Sequence, residues 1–212
     1  MRPLFAVLVC CGLHLTAPIS PAQTPLPADA ALRLQGADLP SVRGVAFSPD
    51  GKWIATRGEP SDPTKPRQLR IWDAATGKLV RSLECHDVPL TAMEFSPDGR
   101  FIAAGQPEHG AGIQVWDARS GRRVSRIDGG RGRFHFLPGG RQIAVVSAFG
   151  ANDVVRVHDA VTGREVRRFV VDQNYRFVFS RDGSKLLSIR TGGRSLMRVY
   201  DVRSGKVLAK LD

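Results

Sequence analysis

The sequence predicts an all-β fold built from four copies of one four-stranded unit. Two motifs that repeat in step carry this reading. Phe47-Ser48-Pro49-Asp50-Gly51 recurs as Phe95-Ser96-Pro97-Asp98-Gly99, then as Phe136-Leu137-Pro138-Gly139-Gly140 and Phe179-Ser180-Arg181-Asp182-Gly183, at offsets of 48, 41 and 43 residues. Ile71-Trp72-Asp73-Ala74-Ala75-Thr76-Gly77 recurs as Val115-Trp116-Asp117-Ala118-Arg119-Ser120-Gly121. Its later copies are Val157-His158-Asp159-Ala160-Val161-Thr162-Gly163 and Val199-Tyr200-Asp201-Val202-Arg203-Ser204-Gly205, at offsets of 44, 42 and 42. A shared period over four copies marks a repeat architecture.

Each copy reads as four short strands. The first ends at the phenylalanine of the first motif. Proline there presets a turn and glycine takes the positive-φ position, so a hairpin follows. The second strand is Trp53-Ile54-Ala55-Thr56, and Phe101-Ile102-Ala103-Ala104 in the next copy. Its later copies are Gln142-Ile143-Ala144-Val145-Val146 and Lys185-Leu186-Leu187-Ser188-Ile189. The third strand ends on the aromatic-Asp pair. In Asp-x-x-Thr/Ser-Gly the carboxylate accepts from backbone amides ahead of it, and the glycine permits a left-handed turn. The fourth strand covers residues 79–83, 123–127, 165–170 and 207–211. Even spacing and turn residues at each end place all of these in one all-β repeat.

A period of this length, with four strands and an aromatic-Asp pair, resembles the WD-repeat (WD-40 type) β-propeller family in a bacterial exported form. The resemblance runs from Ala31 to Asp212, with units at about 41–84, 88–128, 132–171 and 174–212. The Trp-Asp pair stands as Trp72-Asp73 and Trp116-Asp117 and decays to His158-Asp159 and Tyr200-Asp201. Of the family's Gly-His, only His86 has a match, as Cys85-His86, so the family's polar network is expected to be incomplete in every blade. Propellers of the periplasmic TolB type share the Ser-Pro-Asp-Gly turn but lack the Trp-Asp-x-x-Thr-Gly motif, and rank second. Residues 31–36 look like a spare fourth strand, since Leu34-Gln35-Gly36 aligns with Leu83-Glu84-Cys85. Four blades plus that strand suggest an incomplete ring. A longer parent chain, a homodimer closing eight blades and a strained four-bladed ring stay open, the first favoured.

The N-terminus reads as a secretory signal over residues 1–22. Arg2 precedes an apolar core at residues 4–15, and Ser20-Pro21-Ala22 offers small residues for cleavage. That core is too short for a bilayer, which takes about 20 residues. Prolines at 18, 21, 25 and 27 forbid a helical continuation. A Pro/Ala-rich linker follows at 23–30, and the expected location is periplasmic or extracellular. Cys10 and Cys11 leave with the signal, so Cys85 stays without an intrachain partner. The formal charge of +11 rests mostly on arginine. Arginine-rich codon usage and an anionic partner both account for it.

No Gly-x-Ser-x-Gly, His-Glu-x-x-His, phosphate loop or paired cysteines appear, and neither a cofactor nor a metal is expected. His86, His109, His135 and His158 fall in different slots of the repeat, which is no ligand spacing. His135 aligns with Ala46, Glu94 and Val178 on the innermost strands, so Glu94 and His135 are expected on neighbouring blades as a structural pair. Arg122, Arg123 and Arg126, then Arg164, Arg167 and Arg168, fall on outer strands. Charges there guard a sheet edge or form an anion-binding rim.

The turns after strands one and three are nearly identical, whereas the loops at 57–68, 105–112, 147–153 and 190–195 all differ. Repeat proteins carry variable loops on the binding face. The predicted partner-binding residues are therefore Glu59, Asp62, Lys65, Arg67, Glu108, His109, Asp153 and Arg194. The expected function is a non-catalytic scaffold for a protein partner. A propeller enzyme of lactonase or oxidoreductase type and an arginine-mediated anion-binding module are the alternatives.

Overall fold

The computed structural model describes residues 41–59, 67–85, 92–105, 112–128, 133–149, 152–172, 176–190 and 196–211. The predicted signal peptide, linker and spare strand lie outside them. All described elements are strands, in four antiparallel sheets that follow one another along the chain. The first sheet is β1 Ser41–Phe47, β2 Trp53–Glu59, β3 Arg67–Asp73 and β4 Leu79–Cys85. The second is β5 Ala92–Phe95, β6 Phe101–Gly105, β7 Ile113–Asp117 and β8 Arg123–Ile127. The third is β9 Phe134–Phe136, β10 Gln142–Phe149, β11 Asn152–Asp159 and β12 Glu165–Asp172. The fourth is β13 Arg176–Phe179, β14 Lys185–Arg190, β15 Leu196–Asp201 and β16 Val207–Leu211.

Each sheet is a meander, so each is one blade. The first strands lie innermost: β1 neighbours β5, and β5 neighbours β9. The four blades do not close a ring.

The repeat sets one register in every blade. Phe47 faces Ile54, Phe95 faces Ile102, Phe136 faces Ile143, and Phe179 faces Leu186. The aromatic of the second motif faces the same residue from the other side, as Trp72, Trp116, His158 and Tyr200. The ladder between third and fourth strands shifts just before that aromatic in all four blades. Such a bulge sharpens the local twist, and its recurrence keeps the blades congruent.

Strand alternation gives each sheet two apolar faces, and stacking buries them in three inter-blade cores. Leu69, Ile71 and Leu83 of the first blade meet Phe95, Ile102 and Trp116 of the second. Ile113, Val115 and Ile127 then meet Phe134, Phe136 and Ile143 of the third. Val155, Val157 and Val171 meet Phe177, Leu186 and Tyr200 of the fourth. Cys85 is buried in the first core, where desolvation pushes its thiol up to about 12. The sulfur therefore stays protonated and unreactive.

The turn glycines supply more than a backbone conformation. Gly163 has φ +71°, and a Cβ there would meet the Arg126 carbonyl of the preceding blade. Gly205, at φ +72°, would meet the Phe169 ring at 2.8 Å. Only glycine permits both the positive φ and so close an approach. Thus the turn that ends a blade's third strand also seats that blade on its predecessor's outer strand.

Candidate interaction site

The two repeated turns use their polar side chains on themselves. Ser48 donates to Asp50 at 2.6 Å and accepts from the Trp53 amide at 2.9 Å. Ser96 and Ser180 repeat both bonds. In the third blade Leu137 replaces the serine, and the turn closes by backbone bonds from Leu137 to Gln142 and from Gly140 to Leu137. The second turn behaves alike. Asp73 accepts from the amide and hydroxyl of Thr76, and Asp117, Asp159 and Asp201 do the same with Ser120, Thr162 and Ser204. Thr76 holds the Asp73 carboxyl below the usual carboxylate range, and Ser48 does so for Asp50. Ser180 and Ser184 draw Asp182 down to about 2. These carboxylates are structural.

The opposite connections obey no such rule. All eight repeated turns place five residues between the flanking strands. The second-to-third connections hold residues 60–66, 106–112, 150–151 and 191–195. Glu59 closes β2 and Arg67 opens β3, so both flank the first of these. Asp62, Lys65, Glu108, His109 and Arg194 lie outside the described residues. Asp153 departs from its expected loop position. β10 runs on to Phe149 and β11 starts at Asn152, with Asp153 paired to Ala148 and Val171 and only 2% exposed. The reason is the β-branched run on both strands (Val145, Val146, Val154, Val155), which extends the ladder until two residues suffice to turn the chain. A carboxylate so buried presents no surface to a partner.

On the turn face, a cleft of about 460 Å3 opens at the first seam, lined by Ser48, Asp50, Trp53, Asp98, Arg100 and Asp117 among others. The next seam is shut at the matching point. A Cβ on Gly140 would meet the Asp98 carboxylate at 2.5 Å, whereas one on the equivalent Gly99 would meet only Pro49, at 3.7 Å. Arg100 lies over the Phe101 ring, 4.9 Å from its centroid, and reaches Asp117 at 3.9 Å. Sequence inspection missed this cleft. The repeated turns predict equal seams, and only blade packing makes them unequal.

At the inner edge the expected pair forms: His135 Nδ1 lies 2.8 Å from Glu94 Oε1. His158 fills the tryptophan slot as a buried residue and donates from Nδ1 to the Gly163 carbonyl at 3.1 Å. The family's polar network survives in part: Trp72 Nε1 donates to the buried Thr56 hydroxyl at 2.8 Å, while Ala104 and Val145 take the equivalent place in the next two blades.

The outer arginines are partly neutralised. Arg126 pairs with Asp128 at 2.6 Å and Arg168 with Glu165 at 2.5 Å. Burial lowers the pKa of Arg167, with the like charge of Arg203 adding to that effect and the Asp201 carboxylate opposing it. Among the described residues no three potential metal ligands converge, and no helix is long and apolar enough to cross a membrane.

Four-stranded antiparallel blades that follow one another along the chain define the fold as a β-propeller. The profile of the family described as WD domain, G-beta repeat, matches residues 32–73 and 77–117, so these two stretches of the chain are similar to WD repeats. It is 31% identical over 160 residues to the probable U3 small nucleolar RNA-associated protein 18 of Schizosaccharomyces pombe, across 66% of this chain and 30% of that one. It is 39% identical over 79 residues to the small ribosomal subunit protein RACK1z of Arabidopsis thaliana, across 37% of this chain and 21% of that one. The chain thus spans less than a third of either relative's length. Among solved structures, Kuenenia stuttgartiensis hydrazine synthase superposes with a TM-score of 0.61 at 22% identity, over 83% of this chain and 51% of that one. The Cps50 (Swd1) β-propeller domain of Myceliophteria thermophila gives 0.61 at 20% identity, over 80% and 55%. Likeness at such identity concerns the fold, so no chemistry is transferred from it.

Proposed function

We propose that this chain is an exported, non-catalytic scaffold that holds a protein partner on the face of its second-to-third connections. One observation carries the reading. Eight turns on one side keep five residues each, and seven of them bond their own serine, threonine and aspartate side chains, while the four second-to-third connections on the other side vary from two residues to seven. A face whose turns are all the same is committed to holding the blades. A face free to vary in length and charge is the one on which a repeat protein places recognition. In the sequence, Glu59 and Arg67 bracket the first connection and Asp62 and Lys65 fall within it, so this segment carries both signs of charge that a complementary protein surface could match.

The test is site-specific photo-crosslinking in the native envelope, with the probe placed in turn within residues 60–66, 106–111, 74–78 and 118–122. Crosslinks to a protein confined to the first two segments are expected. Equal capture from the five-residue turns would overturn the assignment of the face. Export rests on Arg2 and the apolar stretch at residues 4–15. The exported protein should begin at Gln23 by N-terminal mass spectrometry, and an intact Met1 on it would refute cleavage.

A further inference from the structure

At the inner edge a half-buried acid and base meet that neither the turns nor the proposed binding face uses. Glu94 projects from β5 of the second blade and His135 from β9 of the third, and their side chains pair at 2.8 Å. The other face of the imidazole stacks on Phe179 of β13 in the fourth blade, with centroids 5.3 Å apart and planes 15° from parallel. One ring therefore links three blades at the strands nearest the axis. Its remaining neighbours come from the turn after β13. Asp182 adds a second negative charge, and the Arg181 backbone also favours the protonated ring, although Nε2 makes no hydrogen bond of good geometry. Gly183 leaves the room: a Cβ there would stand 3.0 Å from the imidazole Cδ2.

We propose that Glu94 and His135 form a pH-responsive clamp across the second, third and fourth blades, closed while the imidazole is protonated and loosened when it loses its charge. The competing effects are legible. Burial, the largest single effect, disfavours the imidazolium, but the Glu94 hydrogen bond and charge together with the Arg181 backbone and the Asp182 charge outweigh it, so His135 titrates above the ordinary histidine value. A raised folded-state pKa fixes the sign. The stabilisation is complete below the unfolded value of about 6.5 and disappears as pH rises through the higher folded value. The clamp thus holds the inner strands in mildly acidic surroundings and slackens them in alkaline ones.

The experiment follows the His135 ring by NMR from about pH 5 to about pH 9, spanning the ordinary histidine value, in the wild-type chain and in Glu94→Gln. The glutamine keeps an acceptor for Nδ1–H and removes only the charge. The expected result is a wild-type midpoint above that of free histidine and at least an approximately threefold loss of proton affinity in the variant, which is about half a pH unit. Equal midpoints would overturn the proposal. Hydrogen exchange of the wild-type Phe134–Phe136 amides gives a second readout that needs no folded variant. It should quicken across the His135 titration beyond the intrinsic base-catalysed rise, and an intrinsic rise alone would also overturn the clamp.

Discussion

The inner and outer blades carry the same repeat and bury it to different depths. Phe95 and Phe136, on the first strands of the second and third blades, are 5% and 0% exposed, while Phe47 at the matching place in the first blade is 63% exposed. The outer strands tell the same story. Ile127 on β8 is 1% exposed, and Leu211 on β16 is 50% exposed. The pairing register is the same at each place, so strand geometry is not the difference. What differs is whether a neighbouring blade covers that face. In a repeat protein the motif decides where a side chain points, and the neighbour decides what pointing there is worth.

The largest test of this contrast is a pair of truncations. Phe136→Ala should lose about 3–5 kcal/mol, the usual range for emptying a buried aromatic site. Phe47→Ala should stay within about 0.5 kcal/mol, as exposed substitutions do. Urea denaturation measures both, and equal losses would show that Phe47 is covered in solution.

A smaller effect separates seating from turning among the glycines. Gly163 and Gly51 have nearly the same φ, +71° and +70°, so alanine costs each the same backbone strain, about 1–2 kcal/mol. A methyl at 51 meets open space, but at 163 it meets the Arg126 carbonyl. Gly163→Ala should therefore lose at least about 1 kcal/mol more than Gly51→Ala, as overpacking typically does. Matching urea midpoints would mean that the seam yields at no cost.

The smallest effect is in acid. The folded carboxyl of Asp182 titrates at about 2, below its ordinary 3.8. Its stabilisation is therefore present above pH 3.8 and is lost as pH falls through 2. The wild-type melting temperature should fall faster across that window than that of Asp182→Asn. Being fully exposed, this group should move it only slightly. Parallel curves would remove Asp182 from the acid response.

Much of the molecule was legible as text. The sixteen strands of the described residues follow the order the repeated motifs give them, with β10 and β11 running further into the expected loop at 147–153, because turn chemistry and period-two alternation are local. The Glu94–His135 pair was legible as well, since repeat alignment converts equal positions into neighbours. Asp153 was misplaced because the length of a hairpin depends on how far two strands keep pairing, which no single residue announces. The remaining predicted contact residues, apart from Glu59 and Arg67, lie outside the described part of the chain.

By itself the sequence determined the strand order, the register, the turns with their self-satisfied aspartates, and the identity of each aromatic at its slot. All of these rest on interactions spanning a few residues or on a strict repeat. Only the tertiary structure decided that the first seam gapes beside Trp53 while the second closes on Asp98, that Gly163 must admit a carbonyl from the blade before it, and that one imidazole ties three blades together. Those are contacts between units, and their distances follow from how the blades pack, which a period of about forty residues does not specify.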